Sequence, residues 1–81
     1  MESVAASWGK RIAKRRAELQ YSQRRLGELC GGVAQPTISK IERGDLVPGD
    51  ELKWKLAGAL QLPLDELFAY PAIIPPFPAV A

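Results

Sequence analysis

A chain of 81 residues, 47% hydrophobic and 25% charged, suits one soluble globular domain near the lower size limit for a single core. It has no histidine and one cysteine, Cys30, so an internal disulfide is excluded, no metal or cofactor ligand set is present, and catalysis lacks an evident base. Net charge is only +2, and nothing approaches the roughly 18 consecutive apolar residues of a membrane helix, so neither an enzyme nor a membrane protein is expected.

The elements predicted in chain order are all helical. Ser7 is a suitable N-cap for a first helix over about residues 8–19. Within it Trp8, Ile12, Arg15 and Leu19 share a stripe about 60° wide, an apolar face that includes an arginine. Ser22 caps a second helix over residues 23–30 with Leu26, Leu29 and Cys30 inward, and Gly31-Gly32 ends it. A third helix begins at Gln35 or Pro36, since proline fits a first turn, and stops at Gly44. After the loop 45–49, Asp50 opens a fourth helix reaching Leu60, and a short fifth runs from about Pro63 to Phe68. Leu26, Leu29, Ile38, Ile41, Leu52, Leu56, Leu60, Leu64, Leu67 and Phe68 are expected to share one core, with Cys30 a small core residue.

From residue 70 the composition changes. Residues 70–81 contain four prolines and no charge, which excludes regular helix. The expected organisation is therefore a compact all-α, five-helix domain over residues 1–69. A Pro-rich apolar C-terminal tail over 70–81 is expected to follow it as a candidate packing or dimerisation segment. Trp54 lies about 160° from Leu56 on the fourth helix, away from its core face. It is expected to meet Ile73, Ile74 and Phe77, within one chain or across a dimer.

Charge points to the partner. Residues 1–43 hold nine of the eleven Lys and Arg against four acidic residues, a net of +5, whereas residues 44–81 carry a net of −3. A basic first half favours an anionic partner, nucleic acid first. Helices two and three are short and joined by a Gly-containing turn, which forces them to cross steeply as in a helix-turn-helix. On the third helix, with Ile38 and Ile41 inward, Gln35, Thr37, Ser39 and Lys40 are expected to approach base edges in the major groove. Ser22, Gln23, Arg24, Arg25 and Arg43 are expected around phosphates. Glu42 falls at the edge of the core face, where an unpaired carboxylate is costly, and Arg16 on helix one is the expected partner. Arg16 is also placed near a phosphate.

The stretch Gln35-Pro36-Thr37-Ile38-Ser39-Lys40-Ile41-Glu42-Arg43-Gly44 resembles the reading-helix signature of the phage repressor and Cro-like (XRE-type) helix-turn-helix family. Trp8-Gly9-Lys10-Arg11-Ile12 with Arg16, Ser22-Gln23 with Leu26, Pro48 with Leu56-Ala57 and Leu60, and Leu64-Asp65-Glu66-Leu67 fall at that family's spacings. The resemblance covers about residues 8–68. It implies a five-helix domain that binds operator DNA as a symmetric dimer. It also implies base readout by Gln35, Thr37 and Lys40, phosphate or base contact by Gln23, and an Arg16–Glu42 interhelix pair.

Four positions depart from the family pattern. Gly27 replaces an alanine, the turn Cys30–Val33 is one residue longer, Ala34 replaces a Ser or Thr cap, and Arg15 replaces an apolar residue. The expected function is that of a sequence-specific double-stranded DNA-binding transcriptional regulator, repressor or Cro-like. It is expected in the cytoplasm of a prokaryotic or phage-infected host cell, acting as a homodimer without cofactor. The alternative from a different class is an antitoxin-type protein-binding module whose apolar tail engages a partner protein.

Overall fold

The computed structural model describes residues 3–69, in which the chain forms five helices and no strand. They are α1 (Val4–Glu18), α2 (Gln23–Leu29), α3 (Gln35–Arg43), α4 (Asp50–Leu60) and α5 (Leu64–Leu67). The first boundary differs from expectation. Ser3, not Ser7, is the N-cap of α1: its hydroxyl accepts the Ala6 N–H at 3.0 Å, and the Ser7 N–H bonds to the Ser3 carbonyl at 3.0 Å. Nothing in Val4-Ala5-Ala6 breaks a helix and alanine is the best helix former, so α1 extends back to the earlier serine. At α2 the Ser22 hydroxyl accepts the Arg25 N–H at 2.9 Å. Gly44, at φ 82°, closes α3.

The core draws on every helix. Trp8 and Ile12 of α1 meet Leu26 and Cys30, Ile38 and Ile41 of α3, Leu56, Ala57 and Leu60 of α4, and Leu67 and Phe68 at the end. α1 packs chiefly on α3, α2 on α3 and α4, and α5 on α4 and α1. Leu52 and Leu64 sit half-buried at the edge of this cluster. Leu29, expected inside, is 39% exposed. The buried face of α2 runs through Leu26, Gly27 and Cys30. Its centre lies about 100° round the helix from Leu29, which is thereby left on the flank.

Two departures from the family pattern prove to be one feature. The turn after α2 folds back over it: the N–H groups of Gly32 and Val33 both bond to the Gly27 carbonyl, at 3.0 and 2.9 Å. This brings the Val33 carbonyl so close that a Cβ at Gly27 would stand 2.0 Å from its oxygen. The longer turn therefore requires glycine at position 27, and the helix propensity lost there is the cost of that close approach.

Arg15 has a physical explanation too. Its Nε donates to the Leu60 carbonyl at 2.8 Å, placing a cation on the unsatisfied C-terminal end of α4. The last described residue is pinned nearby. The Ala69 carbonyl accepts from the Trp8 indole N–H at 2.9 Å and from Arg11 Nη1 at 2.5 Å. Phe68 stands edge-on to Trp8 with ring centres 5.4 Å apart, and the Lys53 ammonium lies 4.4 Å from the Trp8 ring centre. Residues 70–81, with the expected packing positions Ile73, Ile74 and Phe77, lie outside the described residues.

Candidate nucleic-acid interface

The candidate interface is built from the inside outward, beginning with Glu42. Its side chain is only 7% exposed and lies on the α1 side of α3. Arg16 meets it with two parallel hydrogen bonds, Nε to Oε2 at 2.7 Å and Nη2 to Oε1 at 3.1 Å. This is the bidentate geometry in which guanidinium and carboxylate are most strongly matched. The hydrogen bond to Glu42 is the main cause raising the Arg16 pKa above its ordinary value, against a smaller opposing effect of burial. Arg16 Nη1 donates to the Tyr21 carbonyl at 2.8 Å, and the Tyr21 N–H returns to the Arg16 carbonyl at 3.0 Å. One arginine thus fixes α3 against α1 and also closes the connection to α2.

From Glu42 the hydrogen bonds run toward the surface. Gln23, the first residue of α2, donates Nε2 to Glu42 Oε1 at 3.0 Å, so its amide can point only one way. The Gln23 carbonyl oxygen then accepts from Gln35 Nε2 at 2.5 Å. Gln35 is exposed at the first position of α3. Its amide keeps one N–H and the carbonyl oxygen for a ligand, a donor and an acceptor side by side.

The start of α3 also offers backbone. Ala34 provides no side-chain cap. Pro36 has no N–H to satisfy, and the Thr37 N–H bonds to the Ala34 carbonyl at 2.9 Å. The Gln35 N–H is left as the open donor of that turn at the positive end of a helix, where an anion is favoured.

The remaining residues differ in how free they are. Lys40 and Arg24 are exposed and have no ion pair among the described residues. Arg43 Nε is 3.1 Å from Asp45, and its Nη1 donates to the Ser39 hydroxyl at 3.1 Å, which holds it along α3. Arg25 and Glu28 approach to 3.5 Å, an exposed pair of little energetic weight. The Ser22 hydroxyl oxygen is occupied as the α2 cap, leaving its O–H to donate. Thr37 and Ser39 are half-buried at the margins of the outward face. Arg16 has three of its five N–H groups committed, so holding the helices together is its main occupation. Trp54 stands apart on α4, 66% exposed.

One contributor was missed from the sequence. Gly9 of α1 lies against the C-terminal backbone of α3, and a Cβ there would stand 2.4 Å from the Glu42 carbonyl oxygen. Its signal was an isolated glycine within a helical pattern, which marks close packing. That packing brings the α1 backbone close enough for Arg16 to grip Glu42.

The comparisons with known proteins agree with this architecture. The helix-turn-helix family profile matches residues 12–67. The uncharacterized HTH-type transcriptional regulator YgzD of Bacillus subtilis is 36% identical over 58 residues, covering 72% of this chain and 86% of that protein. Among solved structures, the restriction-modification controller protein C.AhdI from Aeromonas hydrophila superposes with a TM-score of 0.73 at 28% identity, over 78% of this chain and 94% of that one. The clp gene regulator ClgR from C. glutamicum gives a TM-score of 0.75 at 22% identity, over 83% of this chain and 86% of that one, a likeness of fold.

Proposed function

This chain belongs to the helix-turn-helix family and is a DNA-binding transcriptional regulator, not an enzyme; from that premise we propose that it reads a specific operator in the major groove with α3, as a repressor or Cro-like protein. The observation that carries the reading is the continuous chain of hydrogen bonds Arg16–Glu42–Gln23–Gln35. It passes from the partly buried side of the domain to its surface and ends on an exposed amide held in one orientation.

In this reading Gln35 pairs with adenine through its remaining donor and acceptor. Lys40 donates to guanine, Thr37 offers its methyl to thymine, and Ser39 donates its O–H at the edge of the same face. Phosphates are held by the open Gln35 N–H, by the Ser22 O–H and the remaining N–H of Gln23 at the start of α2, and by Arg24, Arg25 and Arg43. Arg16 keeps two N–H groups that can reach one further phosphate. The protein acts as a homodimer, each copy placing one α3 in successive major-groove segments.

Selection of binders from random duplexes at about 150 mM salt tests this, because non-specific phosphate binding is largely suppressed there. An inverted repeat is expected, and the separation of its halves reports the dimer geometry. Recovery of no consensus would overturn sequence-specific readout and favour the protein-binding alternative.

A further inference from the structure

The exposed side of α4 has a chemistry that DNA reading does not use. Trp54 is 66% exposed, the most exposed large apolar side chain among the described residues, and its indole N–H has no partner there. A tryptophan left open in this way is suited to an apolar ligand that also brings a hydrogen-bond acceptor. The chain itself carries such a segment. Residues 71–81 hold four prolines, Ile73, Ile74, Phe77 and Val80, and no charge. Proline-rich segments favour an extended helix with solvated carbonyls, the form that aromatic surfaces recognise.

Placement selects the occupant. The described chain ends at Ala69, whose carbonyl is held by Trp8 and Arg11. Lys53 of α4 lies over the same Trp8 ring and 5.5 Å from the Phe68 ring centre. The point where residue 70 begins is therefore at the Lys53 flank of α4. Around that helix the flank runs from Leu56 through Lys53 and Ala57 to Trp54, which lies about 60° beyond Ala57. Leu52 and Lys55 lie on the opposite flank, toward Val33 and Gly31. At about 3.1 Å per residue, residues 71–81 reach roughly 30 Å, whereas α4 is about 16 Å long.

We propose that α4 is a docking surface for the chain's own proline-rich segment, with Trp54 received among Ile73, Ile74 and Phe77 and its indole N–H donating to a carbonyl of that segment. The docked segment covers Trp54 and excludes other proteins from that side of α4.

The test uses the full chain, isotope-labelled, with through-space NMR contacts measured from the Trp54 ring, together with a mixture of labelled and unlabelled chains. Cross-peaks from Trp54 to Ile73, Ile74 and Phe77 are expected within one chain, independent of concentration. Deleting 71–81 should shift the Trp54 indole resonance. Trp54→Ala, at an exposed site, should release the segment, moving the Ile73 and Ile74 methyl resonances to their positions in the free peptide. Absence of the cross-peaks, or an unmoved Trp54 indole in the deletion, overturns the proposal. So do cross-peaks found only between differently labelled chains, which would assign the surface to a second copy. DNA selection is read independently, so failure here does not bear on operator binding.

Discussion

Replacing Glu42 with alanine removes the acceptor of three hydrogen bonds at once, two from Arg16 and one from Gln23. Were Glu42 a surface residue, the loss would be about 0–1 kcal/mol. Its side chain is 7% exposed, however, and that of Arg16 20%, so the guanidinium would be left partly buried beside an empty site. Breaking a fully buried pair costs about 3–5 kcal/mol, and the lower end applies because Arg16 is partly exposed and keeps the Tyr21 carbonyl. A loss of about 3 kcal/mol corresponds to a fall in Tm of roughly 12–24 °C for a domain of this size. Urea and thermal unfolding followed by circular dichroism measure it directly.

Arg16→Met/Glu42→Met, removing both charges, should recover much of the stability, because no charge is then left buried. DNA affinity should not return with it, since Gln23 and Gln35 lose their orientation. A Glu42→Ala loss below about 0.5 kcal/mol, or full recovery of DNA binding in the double variant, would refute the reasoning.

Gly27→Ala improves helix propensity by about 0.5–1 kcal/mol in isolation, yet it should destabilise this protein. The added Cβ would stand 2.0 Å from the Val33 carbonyl oxygen, and such overpacking costs about 1–3 kcal/mol, readable as a lower urea midpoint. Gln35→Ala or Lys40→Ala should weaken operator binding by about 1–3 kcal/mol and relax one base position; equal weakening on all sequences would remove them from base readout. Cys30 is buried, and burial raises its thiol pKa, with Lys55 partly opposing. Above the free-thiol value of about 8.5 the unfolded chain releases a proton that the folded chain retains, so stability should fall as pH rises into that range. Cys30→Ala should flatten this alkaline slope, and an unchanged slope would exclude the thiol as its source.

The fold was legible because its signals were local and repeated. Ser22 as a cap, Gly44 as a stop and the spacing of Ile38 and Ile41 each act within one turn of helix, so the five helices could be read in order. The start of α1 was misread because Ser3 and Ser7 are both good caps, and only the uninterrupted Val4-Ala5-Ala6 between them favours the first. Leu29 was misassigned for a different reason. Helical angle gives a direction on α2 but not how far the covering surface extends, and that is set by the turn at Val33 and by α4. The partners of Arg15 and Arg11 were out of reach from sequence, since both bond to backbone carbonyls more than 40 residues away. Which residues meet bases and phosphates depends on DNA, and so rests on the selection experiment.

The departures from the family pattern change what α3 needs from its surroundings. Without a side-chain cap at Ala34, α3 relies on Pro36 to remove one open donor and leaves that of Gln35 outward. With a longer turn, α2 cannot hold the start of α3 by a short connection. Instead Gly27 lets the turn lie on α2, and Val33 is fixed there by backbone hydrogen bonds. The far end of α3 is held by α1, through the close approach at Gly9 and the Arg16–Glu42 pair. α3 is thus held at its first turn through the α2–α3 turn and at its last by α1, and Gln23 spans the two. A change in the turn should therefore move Gln35 more than Lys40 or Arg43, because only the first lies at the end whose position the turn sets.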